Sequence, residues 1–178
     1  MPSGAHVVDL GCGPGVSSFE LARLLPAAHL IGLDIAPRML DQARQRSVAG
    51  LSITWLQADA LRLPFADSSI GACAGHSFLY LVADRTAVLA EIHRVLEPGG
   101  QLVLMEPNAR AATVARVLAV SRDPRHLFSV TLWRPFSRLH GRFTPESLRA
   151  VLQAAGFAEC HSQETFGGLG VLARAKKL

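Results

Sequence analysis

Apolar residues arrive along this chain in short blocks, and the spacing inside the blocks alternates between continuous runs and a helical stripe. His6 to Leu10 is a compact apolar run that predicts a buried strand, and it feeds directly into Gly11-Cys12-Gly13-Pro14-Gly15. Val16, Phe19, Leu21, Leu24 and Leu25 then recur at roughly helical spacing until Pro26 stops them. His29 to Leu33 predicts a second strand ending on Asp34, and Pro37 opens a second helix in which Met39, Leu40 and Ala43 share a face. Ile53 to Leu56 gives a third strand, Asp59 to Asp67 a loop, and Ser69 to Ser77 a fourth strand whose Gly71 and Gly75 allow close backbone approach.

Asp84 is placed to cap the next helix, with Val88, Leu89, Ile92, Val95 and Leu96 as its apolar stripe and Pro98-Gly99-Gly100 as its expected stop. Leu102 to Met105 is a fifth strand. Thr144-Pro145-Glu146 supplies a cap, a first-position proline and a first-turn acid for a last helix closed by Gly156. Phe157 to Glu164 and Leu169 to Ala175, joined by Gly167-Gly168, predict a terminal antiparallel hairpin. Repeated strand–helix alternation implies parallel neighbours joined by right-handed crossovers. The expected fold is therefore α/β, a Rossmann-like doubly wound seven-stranded sheet, mostly parallel with an antiparallel C-terminal hairpin. Its loops after Leu10, Leu33, Ala58, Gly75 and Met105 share the carboxyl edge, where such sheets bind ligands.

Composition narrows the class. The 178 residues, 49% hydrophobic and 18% charged, fit a single globular domain over 1–178. No apolar run is long enough for a transmembrane helix, and Met1 to His6 lacks a secretory pattern, so a cytoplasmic protein is expected. Cys12, Cys73 and Cys160 are too scattered for a disulfide framework or a CxxC metal site, and no metal is expected. The net charge of +4 is local: seven arginines (Arg110, Arg116, Arg122, Arg125, Arg134, Arg138, Arg142) face only Asp123 between Pro107 and Phe143. This Arg-rich stretch, 107–143, reads as a cap inserted between the fifth strand and the last helix, with an apolar helix over Ala111 to Val120 and bulky Leu127, Phe128, Leu132, Trp133 and Phe136. It is either a solvated cap or a binding face for an anionic acceptor, a lipid headgroup or an acidic partner.

The glycine loop brings ligand and backbone N–H groups together because no side chain intervenes. Its spacing is G-x-G-x-G, with Val16 where a dinucleotide fingerprint would place a third glycine, which disfavours a pyrophosphate cofactor. Asp34, 23 residues beyond Gly11, stands where a carboxylate accepts hydrogen bonds from both hydroxyls of a ribose.

Four stretches in order resemble the class I S-adenosylmethionine-dependent methyltransferases: Val7-Val8-Asp9-Leu10-Gly11-Cys12-Gly13-Pro14-Gly15, Gly32-Leu33-Asp34-Ile35, Asp59-Ala60 with Leu63-Pro64-Phe65-Ala66-Asp67-Ser68-Ser69, and Val95-Leu96-Glu97-Pro98-Gly99-Gly100. With Ala155-Gly156-Phe157 and Gly167-Gly168-Leu169-Gly170 the resemblance spans nearly the whole chain and points to small-molecule enzymes such as the ubiquinone and menaquinone methyltransferases. It implies S-adenosyl-L-methionine as cofactor, bound by Asp9, Gly11, Cys12, Gly13, Gly15, Asp34, Ile35, Asp59, Ala60, His76 and Ser77. Gly11 and Gly13 would line the methionine portion, Asp34 hold the ribose, Ile35 pack on the adenine, and Asp59 and Ala60 bond the adenine edge. His76 and Ser77 would border the sulfonium, and Asp9 would brace the loop.

The acceptor expected is a small molecule, an anionic one among the alternatives. His76, titrating near neutrality at the active edge, is the first candidate for a general base. Glu106, Tyr80, His126 and His140 read as structural or surface residues. Two other readings compete with a small-molecule enzyme. A catalytically weak scaffold is suggested because the family's usual helices before the first strand have no counterpart between Met1 and His6, and a second subunit completing that lid is an alternative. A nucleic-acid methyltransferase is disfavoured because His76-Ser77-Phe78-Leu79 stands where an Asn-Pro-Pro-aromatic tetrapeptide would be expected.

Overall fold

The computed structural model describes residues 4–46, 48, 50–110, 139 and 141–178. Strands β1 (His6–Leu10), β2 (His29–Asp34), β3 (Ile53–Gln57), β4 (Ile70–His76), β5 (Leu96–Pro107), β6 (Ala158–Thr165) and β7 (Gly170–Lys176) form one sheet in the order β3-β2-β1-β4-β5-β7-β6. β1 pairs in parallel with both β2 and β4, so the strand order reverses between β1 and β4. β7 runs antiparallel between β5 and β6. The predicted hairpin is present, and one of its strands inserts beside β5.

Helices α1 (Val16–Leu24), α2 (Pro37–Gln45), α3 (Arg85–Val95) and α4 (Pro145–Ala154) complete the fold. Side chains alternate across each strand, and consecutive residues of β1 divide accordingly. Val7 joins Ala22 and Leu30 in a small cluster, while Val8 and Leu10 join Leu33, Leu89, Ile92, Leu104 and Leu152 in the main core. The predicted stripe of α3 is realised: Val88, Leu89, Ile92 and Val95 are fully buried, each contributing about 1.5–3 kcal/mol relative to exposure. Thr144 caps α4 reciprocally with Ser147, its hydroxyl accepting from the Ser147 N–H and its own N–H donating to the Ser147 hydroxyl.

Three expectations change. In α1, Val16 and Leu24 are 60% and 75% exposed, and the fully buried residue is Ser18. The helix is turned so that the hydroxyls of Ser17 and Ser18 reach the buried carboxylate of Asp9, and satisfying that group outweighs hiding two aliphatic side chains. In α2, Leu40 and Ala43 are buried, but Met39 lies at the surface. The stop of α3 precedes Pro98-Gly99-Gly100, because Leu96 already has extended backbone and pairs with Ile70. The Pro-Gly-Gly stretch instead forms the register shift before Gln101 pairs with Ala72, with Gly99 at φ +82°.

The ends of the 107–143 segment are fixed at one place. Asn108 bridges Phe143, the Ala109 N–H donates to the Phe143 carbonyl, and the Phe143 N–H donates to the Pro107 carbonyl. Departure and return therefore lie side by side at the carboxyl end of β5. The expected helix over 111–120, the bulky residues Leu127, Phe128, Leu132, Trp133 and Phe136, and His126 and His140 lie outside the described residues. Among the described residues, no helix is long and apolar enough to cross a membrane.

Candidate functional site

The loop after β1 places Gly11, Gly13 and Gly15 at φ +61°, +53° and +83°, the left-handed region that glycine enters freely. Beyond that, the three differ in what lies where a side chain would project. A Cβ on Gly11 would stand 2.7 Å from the ring of Phe78, and one on Gly15 would stand 2.7 Å from the ring of Trp55. Above Gly13 there is open space, with nothing within 4 Å. The Cys12 N–H donates to the Leu33 carbonyl. Its thiol is buried, which, with the carboxylates of Asp9 and Asp34 nearby, pushes its pKa up to about 12 and leaves it protonated.

Two carboxylates brace this loop. Asp9 is 1% exposed and accepts from Ser17 Oγ at 2.7 Å and Ser18 Oγ at 2.5 Å. Burial raises its pKa against the pull of those hydroxyls, and the charge of Asp34 adds to the rise. Asp34, half-buried at the end of β2, spends one oxygen on the Gly13 N–H and the other on the Ala36 N–H, both at 2.8 Å. The second bond fixes the backbone of Ala36, the N-cap residue of α2, which itself has no side-chain cap.

The adjoining loops lie on the same edge. Ile35 follows Asp34 and is 64% exposed. Asp59 is exposed and accepts from the Leu61 N–H, while Ala60 is buried in the core. Arg94 of α3 ties this stretch down. Its guanidinium donates to the carbonyls of Leu63 and Phe65 and to the carboxylates of Asp67 and Glu91, and Glu91 in turn accepts from the Leu63 N–H. The motif from Leu63 to Ser69 is thus a loop wrapped around one arginine.

His76 ends β4 with its side chain exposed at the carboxyl edge, and desolvation of part of the ring lowers its pKa. Ser77 follows at φ +53°, its N–H bound to the Met105 carbonyl. Glu106, near the end of β5, is 1% exposed and accepts from the N–H groups of Phe78, Leu79 and Tyr80. Burial, partly offset by those three bonds, pushes its pKa up to about 7.

Comparison with known proteins decides the family. A family model described as a methyltransferase domain matches residues 7–100. A demethylmenaquinone methyltransferase from Thermus thermophilus is 35% identical over 91% of this chain and 78% of its own length. The chain belongs to the class I S-adenosylmethionine-dependent methyltransferases. A 2-phytyl-1,4-naphtoquinone methyltransferase from Thermosynechococcus vestitus is 33% identical over 99% of this methyltransferase and 83% of its own length. Among solved structures, an S-adenosylmethionine-dependent methyltransferase from Methanosarcina mazei superposes with a TM-score of 0.70 at 25% identity, covering 100% of this chain and 94% of that one. S-adenosyl-L-methionine is the methyl donor of the family.

Within the methyltransferase, the sheet gathers Gly11, Gly13, Asp34, Ile35, Asp59, Ala60, His76 and Ser77 at the ends of β1 to β4. The side chains of Asp9 and Cys12 are buried, and the space where a Gly15 side chain would project is taken by Trp55 and Phe19. Sequence reasoning gave Phe78 no role, although its ring fills the space beside both Gly11 and Gly75. The paired glycines were the available signal, because a glycine at the end of each of two strands predicts a neighbour lying across both.

Proposed function

We propose that this methyltransferase binds S-adenosylmethionine across Gly11–Gly15 and transfers its methyl group to a small-molecule acceptor held beside His76. The observation that carries the reading is the state of Asp34. A carboxylate offers about four acceptor positions, and Asp34 uses two of them on the Gly13 and Ala36 N–H groups. The remaining lone pairs suit the two hydroxyls of a ribose. The open space over Gly13 suits the methionine portion, and the exposed side chain of Ile35 suits the adenine face. Asp59 and Ala60 bond the adenine edge, His76 and Ser77 border the sulfonium, and Asp9 holds the loop from below.

The sulfonium supplies an activated methyl group, so the protein has chiefly to hold a nucleophile about 3–3.5 Å from the methyl carbon and in line with the leaving sulfur. His76, neutral at physiological pH because its pKa is lowered, takes the proton of a hydroxyl or an acidic carbon. The names of the relatives favour a naphthoquinol acceptor. Leu81 and Phe166, 49% and 53% exposed beyond β4 and β6, favour an apolar molecule at that edge. Pro107, Ala109 and Phe143, the described ends of the 107–143 segment, meet at this same edge. Transfer of labelled methyl from S-adenosylmethionine to a short-chain demethylnaphthoquinol tests the reading. Turnover that His76→Asn lowers at least tenfold, with cofactor affinity retained, is expected. Cofactor binding without transfer to any small acceptor would favour a scaffold, and salt-sensitive RNA binding a nucleic-acid substrate.

A further inference from the structure

The buried carboxylate of Glu106 sits at the start of the short 3-10 turn Leu79–Leu81, where the first N–H groups have no partner within the turn. Its two oxygens collect three consecutive backbone N–H groups, Phe78 and Leu79 on Oε1 at 3.2 and 2.8 Å and Tyr80 on Oε2 at 3.2 Å. The stretch it grips turns sharply out of β4 through Ser77, a non-glycine residue at φ +53°. From that stretch two contacts leave in different directions. The ring of Phe78 lies against Gly11 of the cofactor loop and against Gly75. On the other side the Tyr80 carbonyl accepts from Arg85 Nη2 at 3.3 Å, and the Arg85 guanidinium sits 4.8 Å from the centre of the Phe143 ring, at the root of the 107–143 segment.

We propose that Glu106 is a positioning residue for methyl transfer: its carboxylate fixes residues 78–80 so that Phe78 props the cofactor loop while Arg85 holds the Phe143 ring on the same support. This rests on the cofactor site proposed above. Glu106 touches neither reactant, and its effect passes through Phe78 and Arg85. A neutral carboxyl group is a weaker acceptor and carries an O–H aimed among N–H donors, so the grip belongs to the charged form. Among the described residues, few charged or titratable groups stand around it. Arg85 on α3 favours the charged form, His76 stands at the end of β4, Tyr80 lies in the gripped stretch, and β7 faces it with the uncharged Gly170 and Val171.

The test is calorimetric titration with S-adenosylhomocysteine from pH 5.5 to 8.5 on the full chain, its Glu106→Gln variant and its Phe78→Ala variant. Wild-type affinity is expected to improve about fivefold as pH rises through about 7, where a purely structural carboxyl group would leave it level. Glu106→Gln is expected to bind at the weak acid-side level of the wild type at every pH, with a cooperative urea transition showing that it folds. Phe78→Ala, which leaves the three backbone bonds in place, is expected to lose the pH dependence along with affinity, and it decides the question if the glutamine variant does not fold. A folded Glu106→Gln variant that binds like wild type, or a wild-type profile without the rise, would overturn the inference while leaving the cofactor site standing. Absence of binding by wild type at every pH would overturn both.

Discussion

The backbone N–H of Gly13 donates to Asp34 Oδ2 at 2.8 Å, joining the loop after β1 to the end of β2 across 21 residues of sequence. The same carboxylate accepts from the N–H of Ala36, the residue that precedes α2. The acid at the end of the second strand is therefore part of the loop's own framework before any ligand arrives.

That framework separates two glycine substitutions. In Gly13→Ala the new methyl enters open space, and the cost to folding is confined to the left-handed backbone at φ +53°, about 1–2 kcal/mol. The methyl nevertheless projects into the volume assigned to the cofactor. A modest fall in melting temperature with at least a tenfold loss of S-adenosylmethionine affinity is expected by thermal unfolding and titration. Gly11→Ala would strain the backbone and also drive a methyl into Phe78, so its stability should fall further than that of Gly13→Ala.

Arg94 should be a stability residue with a secondary effect on binding. It is about one-third exposed and holds two carbonyls and two carboxylates. Arg94→Met keeps much of the stem but removes these bonds, at about 1–2 kcal/mol after allowance for solvent. Urea unfolding should show that loss, and the loosened Asp59–Asp67 loop should weaken cofactor binding by less than Gly13→Ala does.

The pH dependence of stability follows from Glu106. Its folded pKa is raised from 4.5 to about 7, so between those values the folded state holds a proton that the unfolded state has released. Its contribution is therefore present below about 4.5 and is lost as pH rises through about 7. Each unit is worth about 1.4 kcal/mol, which sets a ceiling on the order of 3 kcal/mol. Asp9, raised by burial, acts in the same direction. Urea midpoints should fall from pH 5 to pH 8, and Glu106→Gln should flatten part of that fall.

Much of the scaffold was legible because it depends on local pattern. The run His6 to Leu10, the stripe Val88 to Val95 and the cap at Thr144 each carry their information within a few residues, and each appears as expected. The insertion of β7 beside β5 was not legible, since it depends on which edge pairs with which. The exposed Val16 and buried Ser18 reverse the hydrophobic reading because the controlling group, Asp9, lies a strand and a loop away. Gly32 was legible as part of a motif but not in its reason: a Cβ there would meet the ring of Trp55, its partner across β2 and β3, within 2.6 Å of Cε3. The role of Glu106 was not legible, because a lone acid at a strand end looks like a surface residue and its three N–H partners lie some 26 to 28 positions away.

Gly32→Ala provides a check on that last kind of contact. Forcing a methyl into the Trp55 ring should cost about 1–3 kcal/mol in urea unfolding, and Trp55→Leu in the same chain should recover part of it.

The most direct test of the cofactor site is calorimetric titration of the purified chain with S-adenosylmethionine and S-adenosylhomocysteine, beside Asp34→Ala. Micromolar binding that the substitution weakens at least tenfold, about 1.4 kcal/mol, in a variant that still unfolds cooperatively is the predicted result. A folded wild-type chain that binds neither molecule, or an Asp34→Ala variant that binds as tightly as wild type, would contradict it.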